Sequence, residues 1–186
     1  HWFDQVLMWS EEKYPRKIYS VADRRVRQDT TDAPDTQVAT FEFESFTCVW
    51  ENRNYAANNA EQHNLGVYFY GTEGTFHMGW QDGWTFYPVS KGAAPIHVNP
   101  QLNKPDDQNI RELWADFLDA IRTNRRPVSD IEIGQRSTNL SLLANVSVRA
   151  GKSLDWDGAK EMITNDAAAN QLLARRYRDP WKYPQA

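Results

Sequence analysis

The chain is poor in the residues that most often announce a chemistry. It has one cysteine in 186 residues, Cys48, so no internal disulfide can form. The flanks of Cys48 (Phe46, Val49, Trp50) read as strand and no base lies near it, so an inert buried thiol is expected. Such a thiol does not mark a compartment. No run of 18 apolar residues is present, so no helix is expected to span a membrane, and no signal-peptide pattern is visible. The nine glycines include no G-x-G-x-x-G or P-loop spacing, hence no phosphate cradle. His63, His77 and His97 have no cysteine or spaced partner; they are expected as solvent-facing or loop histidines, and no metal site is predicted. Neither a G-x-S-x-G elbow nor a paired reactive Cys and His occurs. The formal net charge of −4 gives no electrostatic reason to expect nucleic acid or an anionic membrane as partner.

Aromatic residues are abundant instead: eight Trp, eight Tyr and eight Phe, enough to build a core although only 40% of residues are hydrophobic. Ala39, Phe41 and Phe43 alternate with Thr40, Glu42 and Glu44, the period of a half-buried strand. Further strands are expected over 16–22, 47–52, 65–70, 75–80 and 84–89. Gly71-Thr72-Glu73-Gly74 reads as a tight turn, and Asp82-Gly83 as a two-residue hairpin. Connections this short require antiparallel pairing. Residues 23–36 read as a charged surface loop, in which Arg24, Arg25 and Arg27 are a solvated cluster or a phosphate grip. Residues 90–107 read as a long irregular connection.

Helices are expected at four places. One opens the chain and ends before Pro15. A second is capped by Asp106 or Asp107 and carries a stripe of Ile110, Leu113, Trp114, Phe117, Leu118 and Ile121, ending at Asn124 and Pro127. A third opens at Ser129 with Glu132 at capping-box spacing and closes at Gly151. Its middle, 137–148, is free of charge, and small residues including Ser141, Ala144 and Ser147 permit close approach. Leu154-Asp155-Trp156 reads as an edge strand and 167–177 as a last short helix. The fold class is α+β: a mostly antiparallel open sheet of about five to seven strands with helices packed on one face. No internal repeat or second domain boundary is visible, so 1–186 reads as one domain.

Two constellations bear on function. Trp50, Tyr68, Tyr70, Trp80 and Trp84 form either a sugar-stacking sheet face or a core or subunit interface. His1 and Asp4 lie three apart on the opening helix, so their side chains share one face. Histidine titrates in the range that proton transfer near neutrality needs, and a carboxylate one turn on can orient it or hold a substrate hydroxyl. A surface pair, a helix-end pair or a tag remnant at position 1 are the alternatives. Because the helix opens abruptly on this histidine, the chain reads as the rear portion of a longer protein.

The order of these features resembles the C-terminal domain of the glucose–fructose oxidoreductase / inositol dehydrogenase / MocA family. The resemblance is carried by His1-Trp2-Phe3-Asp4 and its helix, by Pro34-Asp35-Thr36 leading into Phe41-Glu42-Phe43, and by Val49-Trp50-Glu51. It continues through Gly71-Thr72-Glu73-Gly74-Thr75, Arg125-Arg126-Pro127-Val128, Leu143-Ala144-Asn145, Leu154-Asp155-Trp156-Asp157 and Tyr177-Arg178-Asp179-Pro180-Trp181. The resemblance implies a parent oxidoreductase that passes hydride between a sugar, sugar derivative or cyclitol and NAD or NADP. It implies a Rossmann domain ahead of this chain, a sheet that shapes the substrate pocket, and a homo-oligomer formed through the sheet. His1 matches the family's acid/base histidine and Asp4 its substrate-side carboxylate. The family aspartate four residues before the histidine, the dinucleotide fingerprint and the E-K-P lysine motif are absent from this sequence. This segment is therefore expected to bind no cofactor and to be inactive alone. A carbohydrate-binding module and a structural dimerisation module are the rival readings; compartment is left open, with the cytoplasm as default.

Overall fold

The alternation at 39–43 builds the second strand of a five-stranded sheet whose inner face is the core. The computed structural model describes residues 1–55, 63, 65–101 and 110–184. Its elements run α1 (Trp2–Ser10), β1 (Lys17–Asp23), β2 (Thr36–Glu42), β3 (Thr47–Arg53), β4 (Gly66–Tyr70), β5 (Gly74–Gly79) and β6 (Trp84–Pro88). They continue with β7 (Ile96–Val98), α2 (Ile110–Thr123), α3 (Ile131–Ala150), β8 (Leu154–Asp157), β9 (Met162–Ile163) and α4 (Ala167–Asn170). All strand pairings are antiparallel, as the short connections require, and they divide between a sheet ordered β3-β2-β1-β8-β9 and a sheet ordered β4-β5-β6-β7. The chain falls into two compact units, one holding each sheet.

In the first unit, Ile18, Ala39, Phe41 and Phe43 from the sheet meet Phe3 of α1 and Leu140, Leu143 and Ala144 of α3. A smaller cluster of Val146, Leu154, Ile163 and Ala169 continues this core toward β9 and α4. Period 2 places Tyr19, Val21, Val38 and Val49 on the outer face, where they are exposed. The β1–β8 ladder stops at Ile18 opposite Leu154. Beyond it the buried Ser20 N–H has no strand partner on that side, and the Ser147 hydroxyl of α3 accepts it at 2.9 Å. The same Ser147 hydroxyl donates to the Lys152 carbonyl at 2.8 Å, so one side chain joins β1, α3 and the turn into β8.

Residues 23–36 do form a loop, but one with a buried anchor. The Asp35 carboxylate is 2% exposed and accepts the backbone N–H groups of Arg27, Val26 and Arg25 at 2.8, 2.8 and 3.1 Å. These bonds, that from Arg27 first, outweigh the cost of burial and hold its pKa far below the ordinary carboxylate value. Around it, Arg24 pairs with Asp29 at 2.7 Å and Arg25 with Asp23 at 2.8 Å, so these two cations are already engaged within the loop.

In the second unit the register puts Phe69, Phe76, Phe86 and Ile96 in one cross-strand row and Val67, Met78, Trp84 and Val98 in another, both on one face. Tyr68, His77, Thr85 and His97 form a row on the opposite face. Helix α2 carries the expected apolar stripe, yet only Ala120 is buried on it.

Several elements depart from the sequence reading. Helix α1 ends at Ser10 rather than near Pro15, because Glu11 turns into the left-handed region at φ 59° and its N–H closes on Leu7 O. The Asp82-Gly83 hairpin is longer than two residues: Gly79 N–H reaches Gly83 O across residues 80–83, and only Gly83 has positive φ there. A short strand, β7, lies within the supposed irregular connection. Asp130 and not Ser129 caps α3, accepting from Glu132 and Ile133 N–H at 2.9 and 3.0 Å. Strand β8 is internal, between β1 and β9, because Met162-Ile163 supplies the edge. Helix α4 stops at Asn170, well short of Tyr177. The expected cap of α2 at Asp106 or Asp107 lies outside the described residues.

Ser147→Ala leaves the buried Ser20 N–H unsatisfied and should cost about 1–3 kcal/mol of stability in urea unfolding, whereas Ser141→Ala, on the exposed side of α3, should cost little. For Asp35 the folded pKa lies below the unfolded value of 3.8, so its contribution is complete above pH 3.8 and lost as pH falls through the folded value. Asp35→Asn should therefore lower the urea midpoint at pH 7 and flatten the acid limb of the stability profile.

Candidate active site

Phe3 fixes how α1 presents its other side chains. Its ring meets Phe41 edge-on with centroids 5.0 Å apart and lies 5.0 Å from Trp50, while Val6 is buried beside it. At 100° per residue, Phe3, Val6 and Leu7 occupy the core-facing arc. His1 and Asp4 then fall together on the flank turned away from it, His1 exposed at the N-cap and Asp4 half-buried in the first turn. The His1 carbonyl accepts the Gln5 N–H at 3.3 Å, which continues the helical turn back to the histidine.

The far end of α1 is tied down by Glu12. Its carboxylate accepts Glu44 N–H at 2.8 Å and Ser45 N–H at 3.0 Å, together with the Ser45 hydroxyl. Burial works against this charge, but the bonds from Ser45 and Glu44 prevail and lower the Glu12 pKa. A cleft of about 590 Å³ opens beside it, lined by Glu12, Tyr14, Arg16, Glu44, Trp156 and Asp157. Within it Arg16 pairs with Glu44 at 3.5 Å and Asp157 with Lys160 at 2.8 Å. His1 and Asp4 do not line it.

The other candidates sort differently from the sequence expectation. His77 is not a solvent-facing or loop histidine: it lies in β5, 1% exposed, with its ring stacked 3.8 Å from that of His63 and 4.4 Å from that of Tyr68. His63 in turn pairs with Asp82 at 3.2 Å. Burial first, then the neighbouring His63, push the His77 pKa down, against a smaller pull from Asp82. No local pattern announces this cluster, since 14 positions separate the two histidines and the turn back from β4 to β5 brings them together. Among the described residues, no group of three His, Cys, Asp or Glu side chains could hold a metal ion. Cys48 sits half-buried in β3, where desolvation pushes its thiol up to about 11, out of nucleophilic range near neutrality. The five aromatics expected on one sheet face do not share it. Trp50 is in the first sheet, Trp80 follows β5 in a loop, and Trp84 lies on the face opposite Tyr68.

Fit to a dinucleotide can be judged from the helix starts. The N-termini of α3 and α4 are occupied by the carboxylates of Asp130 and Asp166, which accept the first N–H groups and would repel a pyrophosphate. The sequence holds no glycine-rich turn of G-x-G-x-x-G spacing beside them. Among the described residues, no helix is long and apolar enough to cross a membrane.

Comparison with known proteins bears on the whole arrangement. A sequence model of an oxidoreductase family, the C-terminal alpha/beta domain of the Gfo/Idh/MocA group, matches residues 85–183. No curated protein matches the sequence. The fold is similar to an oxidoreductase from Agrobacterium radiobacter solved with NAD+, L-tartaric acid and magnesium (TM-score 0.60, 13% identity, 82% of this chain and 46% of that one). It is similar to the aldose-aldose oxidoreductase of Caulobacter crescentus solved with glycerol (TM-score 0.61, 14% identity, 82% and 44%). A third is the WlbA dehydrogenase of Bordetella pertussis, solved with NADH and UDP-GlcNAcA (TM-score 0.56, 16% identity, 84% and 43%). The chain thus spans less than half the length of these three structures.

Because its folded pKa lies below 6.5, His77 leaves stability untouched above pH 6.5 and costs stability as pH falls below it, where the unfolded chain takes up a proton that the folded one refuses. Thermal melts at pH 7.5 and 5.5 should show a larger drop for the natural chain than for His77→Gln.

Proposed function

We propose, for a chain that belongs to the Gfo/Idh/MocA oxidoreductase family through its C-terminal alpha/beta domain, that it is the substrate-side domain of a nicotinamide-dependent sugar or cyclitol dehydrogenase. The match over residues 85–183 is the observation that carries this reading. The three similar structures support it, since two of them were solved with NAD+ or NADH and one with a nucleotide sugar. In this reading 1–186 is one C-terminal domain, preceded in the parent protein by a Rossmann domain that holds NAD or NADP and supplies the hydride acceptor. The parent is a homo-oligomer formed through the sheet.

On this chain the catalytic roles fall to α1. His1 takes the proton from the substrate hydroxyl as carbon is oxidised, or returns it in the reverse direction, because an imidazole can both accept and donate near neutral pH. Asp4, one turn on, accepts a hydrogen bond from a second substrate hydroxyl or from the ring of His1 and so fixes their mutual orientation. Support for this pairing comes from the shared flank of α1 and from the way Phe3 and Glu12 hold the helix at both ends. The cofactor enters from outside this chain, consistent with helix starts already filled by aspartates.

Two measurements test the reading. Titration calorimetry of this chain with NAD+ and NADP+ should show no binding at micromolar cofactor; tight binding would contradict a separate cofactor domain. In the full-length protein, His1→Ala should cut turnover by about 10²–10⁴-fold with its fold intact, and unchanged turnover would remove the catalytic assignment.

A further inference from the structure

Residues 175–183 contain Tyr177-Arg178-Asp179-Pro180-Trp181, a motif that neither the core nor the α1 site uses. Among the described residues, neither apolar cluster of the first unit reaches past Ala169. The segment is nonetheless folded on itself. The rings of Tyr177 and Tyr183 meet edge-on with centroids 4.2 Å apart, and the Tyr183 hydroxyl accepts the Arg175 N–H at 2.9 Å. The Trp181 N–H closes on the Arg178 carbonyl at 2.9 Å. Held in this knuckle, Trp181 is 65% exposed, and Tyr177 and Tyr183 are exposed as well. Four cations accompany them: Arg175, Arg176, Arg178 and Lys182. In other loops arginines are paired, Arg24 with Asp29 and Arg125 with Asp116 and Asp119. Among the described residues no carboxylate lies within ion-pair reach of these four. Exposed Trp, Tyr and Arg held in one turn are the side chains that dominate protein–protein contacts.

Charge indicates the partner. With four cations against Asp179, residues 175–183 carry a net charge of +3, whereas the whole chain carries −4, so −7 falls on the rest. That body repels a nucleic acid or an anionic membrane but attracts the knuckle of another copy. The same unit offers a seat. The cleft beside Glu12 has Tyr14 and Trp156 as aromatic walls. A side chain at Gly158 would strike the Tyr14 ring, so this glycine lets the ring stand close against the backbone. Four carboxylates (Glu11, Glu12, Glu44, Asp157) line the cleft against Lys13 and Arg16. Lys160 bonds Asp157 from outside the lining, which leaves the surplus negative. The chain's own Trp181 does not line it. We propose that residues 175–183 are an exchange arm that docks on a second copy of this chain, with Trp181 seated between Tyr14 and Trp156 of that copy. In a two-fold pair each copy gives one arm and receives one, so the contact closes on itself. The proposal rests on the reading of the parent as a homo-oligomer, and it adds a contact beside one formed through the sheet.

The test uses the 186-residue chain carrying Trp181→p-benzoylphenylalanine, a photoreactive ring at an exposed position outside both apolar clusters. Irradiation should yield a covalent dimer on a denaturing gel, with cross-linked peptides mapping to Tyr14, Trp156 or Gly158. Adding Tyr14→Ala or Arg178→Glu, both at exposed side chains, should cut the dimer yield by about tenfold. Added salt should lower it too, as the charges are screened. Four results would each overturn the arm: a link within one chain, a dimer linked at other residues, no link at the highest soluble concentration, or a yield unaltered by Tyr14→Ala. Light scattering on the unirradiated sample separates this failure from that of the reading beneath it. An oligomer whose arm does not reach the cleft overturns the exchange alone, whereas a monomer at every concentration removes the homo-oligomer as well.

Discussion

One hydrogen bond organises the first unit: the Ser20 N–H of β1 given to the Ser147 hydroxyl of α3. Strand β8 pairs with β1 only as far as Ile18, so a buried backbone donor is left without a neighbouring strand. A helix must approach closely enough to satisfy it, and only small side chains allow that approach. Ala144 and Ser147 supply the space, while Leu140 and Leu143 supply the apolar contact with Ile18 and Phe41. The Ser147 hydroxyl then donates to Lys152, setting where the chain leaves α3, and Gly151 turns it at φ 65° into β8. Helix, central strand and returning strand are placed by the same side chain. Helix α1 rests on this platform through Phe3, and the presentation of His1 and Asp4 follows from it.

Several carboxylates serve the backbone. Asp35 gathers three N–H groups of the arginine-rich loop, Glu12 gathers two from the β2–β3 turn, and Asp130 and Asp166 cap helices. They also have a functional consequence. The starts of α3 and α4, filled by aspartate, are closed to phosphate.

Much of this was legible in the sequence because it rested on local rules. Period 2 at 39–43 found the buried face of β2, period 3.6 found α2, and the Ser129–Glu132 spacing with Gly151 marked α3. Gly151 and Asn124 marked helix ends through their backbone freedom. What stayed hidden depended on partners distant in the chain. Ser147 reads as a small residue in a charge-free helix; its role appears only when β1, 127 positions earlier, lies beside it. Asp35 reads as one more polar residue in a surface loop, yet it is the loop's buried centre. Trp84 and Tyr68 are alike in composition, and only the register of β4, β5 and β6 sends them to opposite faces. The His63–His77 stack needed the same register. For the candidate site, the His1–Asp4 spacing was visible at once, and family order gave it meaning; their shared flank is set by where Phe3 and Val6 are buried.

We propose that the flank of α1 bearing His1 and Asp4 faces a reacting sugar in the parent oxidoreductase. It is tested most directly by a structure of the full-length protein with nicotinamide cofactor and a sugar or cyclitol bound. A ring nitrogen of His1 is expected within about 2.6–3.2 Å of the hydroxyl on the carbon facing the nicotinamide, with Asp4 on a neighbouring hydroxyl or on the imidazole. A substrate seated elsewhere, with α1 turned away from the reacting carbon, would contradict it.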